Sequence, residues 1–140
     1  MQTRSQIKHI ATKTKEFQKA CKCGDTMLAQ DILMECPKLD ISADNELAFN
    51  SACFGGHLEI AKWLLSIKPD IDTCICNYEA YRFACGNGHI NIAIWYHTTH
   101  ETIPRSIMMM AFNLAYKKNM THITHFINQH LAILDGYDPM

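Results

Sequence analysis

The chain lacks a dominant charge. Its 140 residues carry 13 Lys and Arg against 14 Asp and Glu, a formal net charge of −1, so no field of one sign draws in a nucleic acid or an anionic membrane. It also lacks a long hydrophobic run. The longest, around Ile107 to Phe112, is far shorter than the ~20 residues that cross a bilayer. The opening MQTRSQIKHIATKTK has no apolar stretch of the kind found in a secretory signal. Glycine is scarce, at six residues, and none of it builds a phosphate-cradling loop. Gly86-Asn87-Gly88-His89 recurs as Gly55-Gly56-His57, which marks a turn between helices instead. No nucleophile has an evident base and orienting partner, so the expectation is a chain with no catalysis and no cofactor. A cysteine route through Cys76 or Cys23 with a nearby histidine would need a thiol that ionises near or below neutral pH. Seven cysteines, an odd number, point to free thiols in a reducing, intracellular compartment rather than to a disulfide framework.

What the chain does have is repetition. Residues 48–57 read AFNSACFGGH and residues 80–89 read AYRFACGNGH. The segments starting at Glu16 and at Met110 continue the pattern. The aromatic anchors Phe17, Phe49, Tyr81 and Phe112 are spaced 32, 32 and 31 residues apart. Three residues after each stands an alanine: Ala20, Ala52, Ala84 and Ala115. At +7 come Gly24, Gly56, Gly88 and Asn119, the residue types that tolerate a left-handed helix end. At +11 come Leu28, Ile60, Ile92 and Ile123. A period of this size identifies a repeat array. With 48% hydrophobic residues the chain has the core material of one domain. We divide it into units 16–46, 47–78, 79–109 and 110–134 behind a capping segment 1–15.

Within a unit the pattern predicts two short antiparallel helices. Ala48, Phe49, Ala52 and Cys53 share a helical face that Gly55-Gly56 ends. A second apolar stripe, Leu58, Ile60, Ala61, Leu64, Leu65 and Ile67, stops before Pro69. The alternating Asp70 to Asn77 segment reads as an extended loop toward the next anchor. The repeated alanine lets neighbouring helices lie close. Trp63, Trp95 and Phe126 occupy one position of the second helix and are expected to be shared core, with Asp31 at that place in the first unit. The Lys-rich start and the polar last helix, with His122, His125 and Gln129, are expected to be solvent-facing caps. In the third unit, polar residues from His97 to Thr102 predict an irregular loop.

The stretch AFNSACFGGHLEIAKWLL, residues 48–65, closely resembles the ankyrin repeat: an Ala-rich helix, a Gly-His turn, and a Leu-Glu-Ile-Val-x-x-Leu-Leu helix. The resemblance covers residues 16 to 134. In flavour it is similar to the ankyrin families of amoeba-infecting giant DNA viruses, where Trp63 to Asp72 would be at home; this would make a host cytoplasm the compartment. Two features depart from the family. Its Thr-Pro-Leu-His opening is Leu47-Ala48-Phe49-Asn50 here, and the Gly after the second helix is Lys68.

The resemblance implies an all-α ankyrin-repeat solenoid that binds a protein partner through loop tips and first helices lining a concave face. Transferred by position, the loop tips fall on Ala43, Asp44 and Glu46, and on Ile75, Cys76 and Tyr78. The first-helix ends fall on Lys22 and Cys23, Phe54 and Gly55, Gly86 and Asn87, and Lys117 and Lys118. Phe54 and Tyr78 stand out as aromatic anchors, against the alternative that Phe54 folds back into the core. A self-associating or spacer module is the other reading, with Met108-Met109-Met110 either an adaptable sticky surface or buried between units.

Metal binding has little support. Cys21-Lys22-Cys23 and Cys74-Ile75-Cys76 lack zinc spacing. Cys21, Cys53 and Cys85 recur at a core position. His97-x-x-His100 and His122-x-x-His125 are read as a solvated histidine-rich face, and His57 and His89 as structural turn residues.

Overall fold

The computed structural model describes residues 1–136. Among them are eight helices and no strand, and they group into two compact units divided after Thr73.

In the first unit, Thr3 and Gln6 form a capping box. The Thr3 hydroxyl accepts from the Gln6 N–H at 3.2 Å, and the Gln6 side chain accepts from the Thr3 N–H at 2.8 Å. Nothing interrupts the helix until Gly24, so α1 (Arg4–Cys23) runs straight from the capping segment through the anchor Phe17. Gly24, at φ 81°, ends it in the left-handed conformation that costs glycine nothing. Helices α2 (Thr26–Glu35), α3 (Ala43–Phe54) and α4 (Leu58–Ile67) follow, and α1 packs on both α2 and α3. Phe17, Phe49, Ala52, Cys53 and Leu64 are essentially inaccessible. Trp63 leans on Phe17 with ring centroids 6.3 Å apart and is half-buried.

The second unit repeats this plan with α5 (Ile75–Gly86), α6 (Ile90–Thr99), α7 (Arg105–Lys117) and α8 (Thr121–Leu134). Asn119, at φ 59°, does between α7 and α8 what glycine does in the other pairs. Gly86 allows a close approach of α5 and α7, since a Cβ there would stand 3.2 Å from that of Leu114. The irregular loop expected to start at His97 is confined to residues 100–104, because α6 continues through Thr99 despite its polar end, and the loop's own Ile103 is buried. The methionine run divides: Met108 is buried, while Met109 and Met110 are 39% and 42% exposed.

Two features were not foreseen. Leu28 is 45% exposed, although Ile60, Ile92 and Ile123 at the same repeat position are 0–2% exposed; no helix pair stands before the first one among the described residues to cover it. And Asp44, Asn45 and Glu46 all sit in the left-handed region, at φ 57–62°, as do Cys76, Asn77 and Tyr78 at φ 55–60°. Thus the segment read as extended, 70–77, sends Ile71 into the core and then closes on a left-handed turn. Alternation of polar and apolar residues does not reveal such a turn.

Candidate partner-binding surface

In the first unit the ends of α1 and α3 meet. Lys22 is exposed and its ammonium lies 5.4 Å from the centroid of the Phe54 ring, within cation–π range. Phe54 is 42% exposed, so it is displayed rather than folded into the core. The ends are held together by close backbone approach: the His57 ring occupies the space a Cβ would need on both Gly24 and Gly55, giving His57 its structural place. A Cβ on Gly55 would stand 2.5 Å from the Lys22 carbonyl oxygen. Gly55→Ala is therefore expected to lower stability by about 1–3 kcal/mol through overpacking. Urea melts of the two chains measure this; an unchanged midpoint would mean the helix ends are not in register as described.

Ala43 is half-buried and Asp44 exposed, the latter accepting a 3.0 Å hydrogen bond from the Gln18 amide. Glu46 is only 5% exposed, and its Oε2 accepts the Asp72 N–H at 2.7 Å. It braces the two loops from inside and does not belong to the exposed loop tip on which position alone placed it. Its Oε1, and the Oδ1 of Asn50, are buried without a hydrogen-bond partner.

In the second unit Cys76, Lys117 and Lys118 are exposed, and Ile75 and Asn87 half-buried. The Lys118 ammonium donates to Asn87 Oδ1 at 3.0 Å, so two residues expected on the surface do form a pair. Tyr78, expected as an exposed anchor, is half-buried and turns inward, its ring 6.5 Å from that of Tyr96 and 6.0 Å from that of His100.

Tyr78 borders a cluster that position-by-position reading missed. His97 and His100 do not lie on a solvated face. His100 stacks on Tyr96 at 4.8 Å and 11°. His97 shares a 2.8 Å hydrogen bond with the Tyr81 hydroxyl, and its ring lies 4.2 Å from that of His130 and 5.2 Å from that of Phe126. Burial and the neighbouring His130 and His100 hold His97 well below the usual histidine range, at about 4, so its ring is neutral at pH 7. The signal was present as a double change at matched positions: Tyr81 where Phe49 stands, His97 where Leu65 stands. A cleft of about 190 Å³ opens beside the cluster, walled by His97, His100, Glu101, Ile103, Met108 and His130. By contrast, His122 and His125 are exposed as expected, with His122 bonded to the Gly88 carbonyl oxygen at 2.9 Å.

Among the described residues no three His, Cys, Asp or Glu side chains are placed to share a metal ion. Burial pushes the Cys21 and Cys85 thiols up to about 12 and Cys53 up as well, away from the thiolate that nucleophilic chemistry uses. No described helix is long and apolar enough to cross a membrane.

In comparison with known families, residues 49–95 fit the family model described as ankyrin repeats (many copies). The matched segment runs from the anchor Phe49 to Trp95 and takes in most of α3 to α6. No curated protein and no solved structure matches the chain. The helix pairs of both units thus have the all-α, helix–turn–helix architecture of ankyrin repeats.

Proposed function

We propose that this chain is a protein-binding module that acts through the ends of its first helices and the loops before them, and that it catalyses nothing itself. The family matched over residues 49–95 is generally one of protein–protein interaction. The observation that carries the reading here is the Lys22–Phe54 pair: an exposed aromatic ring with a cation beside it, on backbone held rigid by the Gly24–His57–Gly55 contact. A preorganised aromatic anchor of this kind loses little ordering entropy on association. We read residues 16–134 as four repeats of one domain working in a reducing cytoplasm, with a host-cell protein as the partner class.

The test is affinity capture from lysate, comparing the chain with a Lys22→Ala, Phe54→Ala variant of matched circular dichroism. A partner held by the first and lost by the second is the expected result; retention by both would put the binding surface elsewhere. Tyr78 is unsuitable for this test because of its packing.

One observation favours self-association as a second reading. Tyr116 is 69% exposed and stacked on Phe112 at 6.1 Å, at the repeat position where Cys21, Cys53 and Cys85 are covered. An end face of this kind suits another helix pair. Sedimentation of the chain and of Tyr116→Lys would show it as a dimer fraction that the substitution removes.

A further inference from the structure

The loops of the first unit concentrate charge that the chain as a whole does not have. Segments 40–46 and 68–72 hold Asp40, Asp44, Glu46, Asp70 and Asp72 against the single ammonium of Lys68. That ammonium is already committed, to the Ser42 hydroxyl and, at 4.0 Å, to Asp40. Among these Glu46 is buried, one carboxylate oxygen accepting from the Asp72 N–H and the other without a partner; Asn50 Oδ1 is likewise buried and unpartnered. Orphaned acceptors in a low-dielectric site are unfavourable, and they call for a donor.

The second unit shows which donor suits this backbone. Its left-handed turn at residues 76–78 matches the turn at 44–46 residue by residue, with φ 55–60° against 57–62° and ψ 41–50° against 34–51°. Residue 82 is the repeat equivalent of residue 50. There it is arginine, and its guanidinium closes over the turn, Nε donating to the Asn77 carbonyl at 2.8 Å and Nη2 to the Cys76 carbonyl at 3.0 Å. The first unit has the same turn, acceptors in place of the guanidinium, and an excess of negative charge around it.

We propose that the acidic loop end of the first unit binds an arginine side chain of a protein partner, with Glu46 and Asn50 receiving the guanidinium. This rests on the protein-binding reading above and names the chemistry of the partner. A planar guanidinium offers five N–H donors in a fixed fork, which suits acceptors on different side chains better than the point charge of lysine. The metal alternative fails because the carboxylates do not converge. Access requires the 40–46 loop to open. Three consecutive left-handed non-glycine residues, Asp44, Asn45 and Glu46, place backbone strain where that opening would occur.

The test uses a phage-displayed library of random dodecapeptides, selected in parallel on the intact chain and on Asn50→Arg, which would supply the guanidinium internally. Peptides selected on the chain are expected to carry one essential arginine, whose replacement by lysine or citrulline weakens binding at least tenfold. The same peptides should bind at least tenfold more weakly to Asn50→Arg and to Glu46→Gln, with both variants retaining their helical circular dichroism. Binders without an essential arginine, binders indifferent to both substitutions, or no binders at all would overturn the proposal. A lysate partner lost by Lys22→Ala, Phe54→Ala but held equally by Glu46→Gln and Asn50→Arg would remove the arginine site and leave the binding module standing.

Discussion

Phe49→Ala is expected to cost about 3–5 kcal/mol, the range for emptying a fully enclosed aromatic site, while Phe112→Ala, at the same repeat position, should cost roughly half as much. The two rings have the same place in the period and different surroundings. Phe49 is 1% exposed, whereas Phe112 is half-buried and shares its outer side with the exposed Tyr116 ring. Less apolar area leaves water, and the cavity left behind is open to solvent and partly refilled by it. Since a domain of this size has only about 5–15 kcal/mol of net stability, Phe49→Ala should bring the chain close to unfolding at 37 °C. Thermal and urea denaturation followed by circular dichroism would measure both. Equal losses would mean that Phe112 is as enclosed as Phe49, and that the last helix pair has a cover not seen in the isolated chain, such as a second copy.

Acid is expected to weaken the second unit through His97. In the unfolded chain a histidine takes up its proton near pH 6.5; in the folded chain burial and two neighbouring imidazoles hold His97 to about 4. The unfolded state therefore binds the proton first as pH falls. Stability is undiminished above about 6.5, declines between there and 4, and is lost no further below that by this group. The full shift would correspond to roughly 3 kcal/mol, but the ring is only half-buried, and solvent screening reduces the expected loss to about 1–2 kcal/mol. The window from pH 7 to 5 isolates the effect, because unperturbed carboxylates begin to titrate only below it.

The informative comparison is the double variant Tyr81→Phe, His97→Leu, which restores the residues found at these places in the second repeat, Phe49 and Leu65. It removes the imidazole without stranding the tyrosine hydroxyl, whose 2.8 Å partner is His97. Urea midpoints of the parent chain should fall between pH 7 and 5, and those of the double variant should fall less by about 1 kcal/mol or more. Parallel curves would mean that His97 takes up its proton in the folded chain as readily as in the unfolded one. His97→Leu alone should be worse than the double variant at pH 7, because the buried Tyr81 hydroxyl loses its nitrogen partner and keeps only the weaker sulfur of Cys85.

Much of the architecture was legible in the residues because helical structure is local. The 32-residue period, the alanines at the close contacts and the glycines or Asn119 at the helix ends each reflect a requirement met within a few residues of chain. The buried Cys21, Cys53 and Cys85 followed from the same periodicity, since a residue four places from a core aromatic shares its face. The exposed Phe54 and Lys22 were identified as the end of a first helix, though not as a pair.

What escaped sequence reading was where side chains meet across the repeats. Glu46 was placed at a loop tip by counting, yet its carboxylate turns inward because the Asp72 N–H, 26 residues away, is there to be satisfied. Tyr78 looked like a display residue and instead packs near Tyr96 and His100, at a turn whose left-handed backbone no alternation pattern announces. His97, His100 and His130 form one cluster only because α6 and α8 bring residues 33 and 30 positions apart to the same place. By itself, then, the sequence determined the repeat, its helix pairs and the apolar residues that bury themselves, all consequences of short-range geometry and hydrophobic periodicity. Only the tertiary structure decided which polar groups are enclosed, which are paired and which are left wanting a partner, because those outcomes depend on distances between residues that the chain separates and the fold brings together.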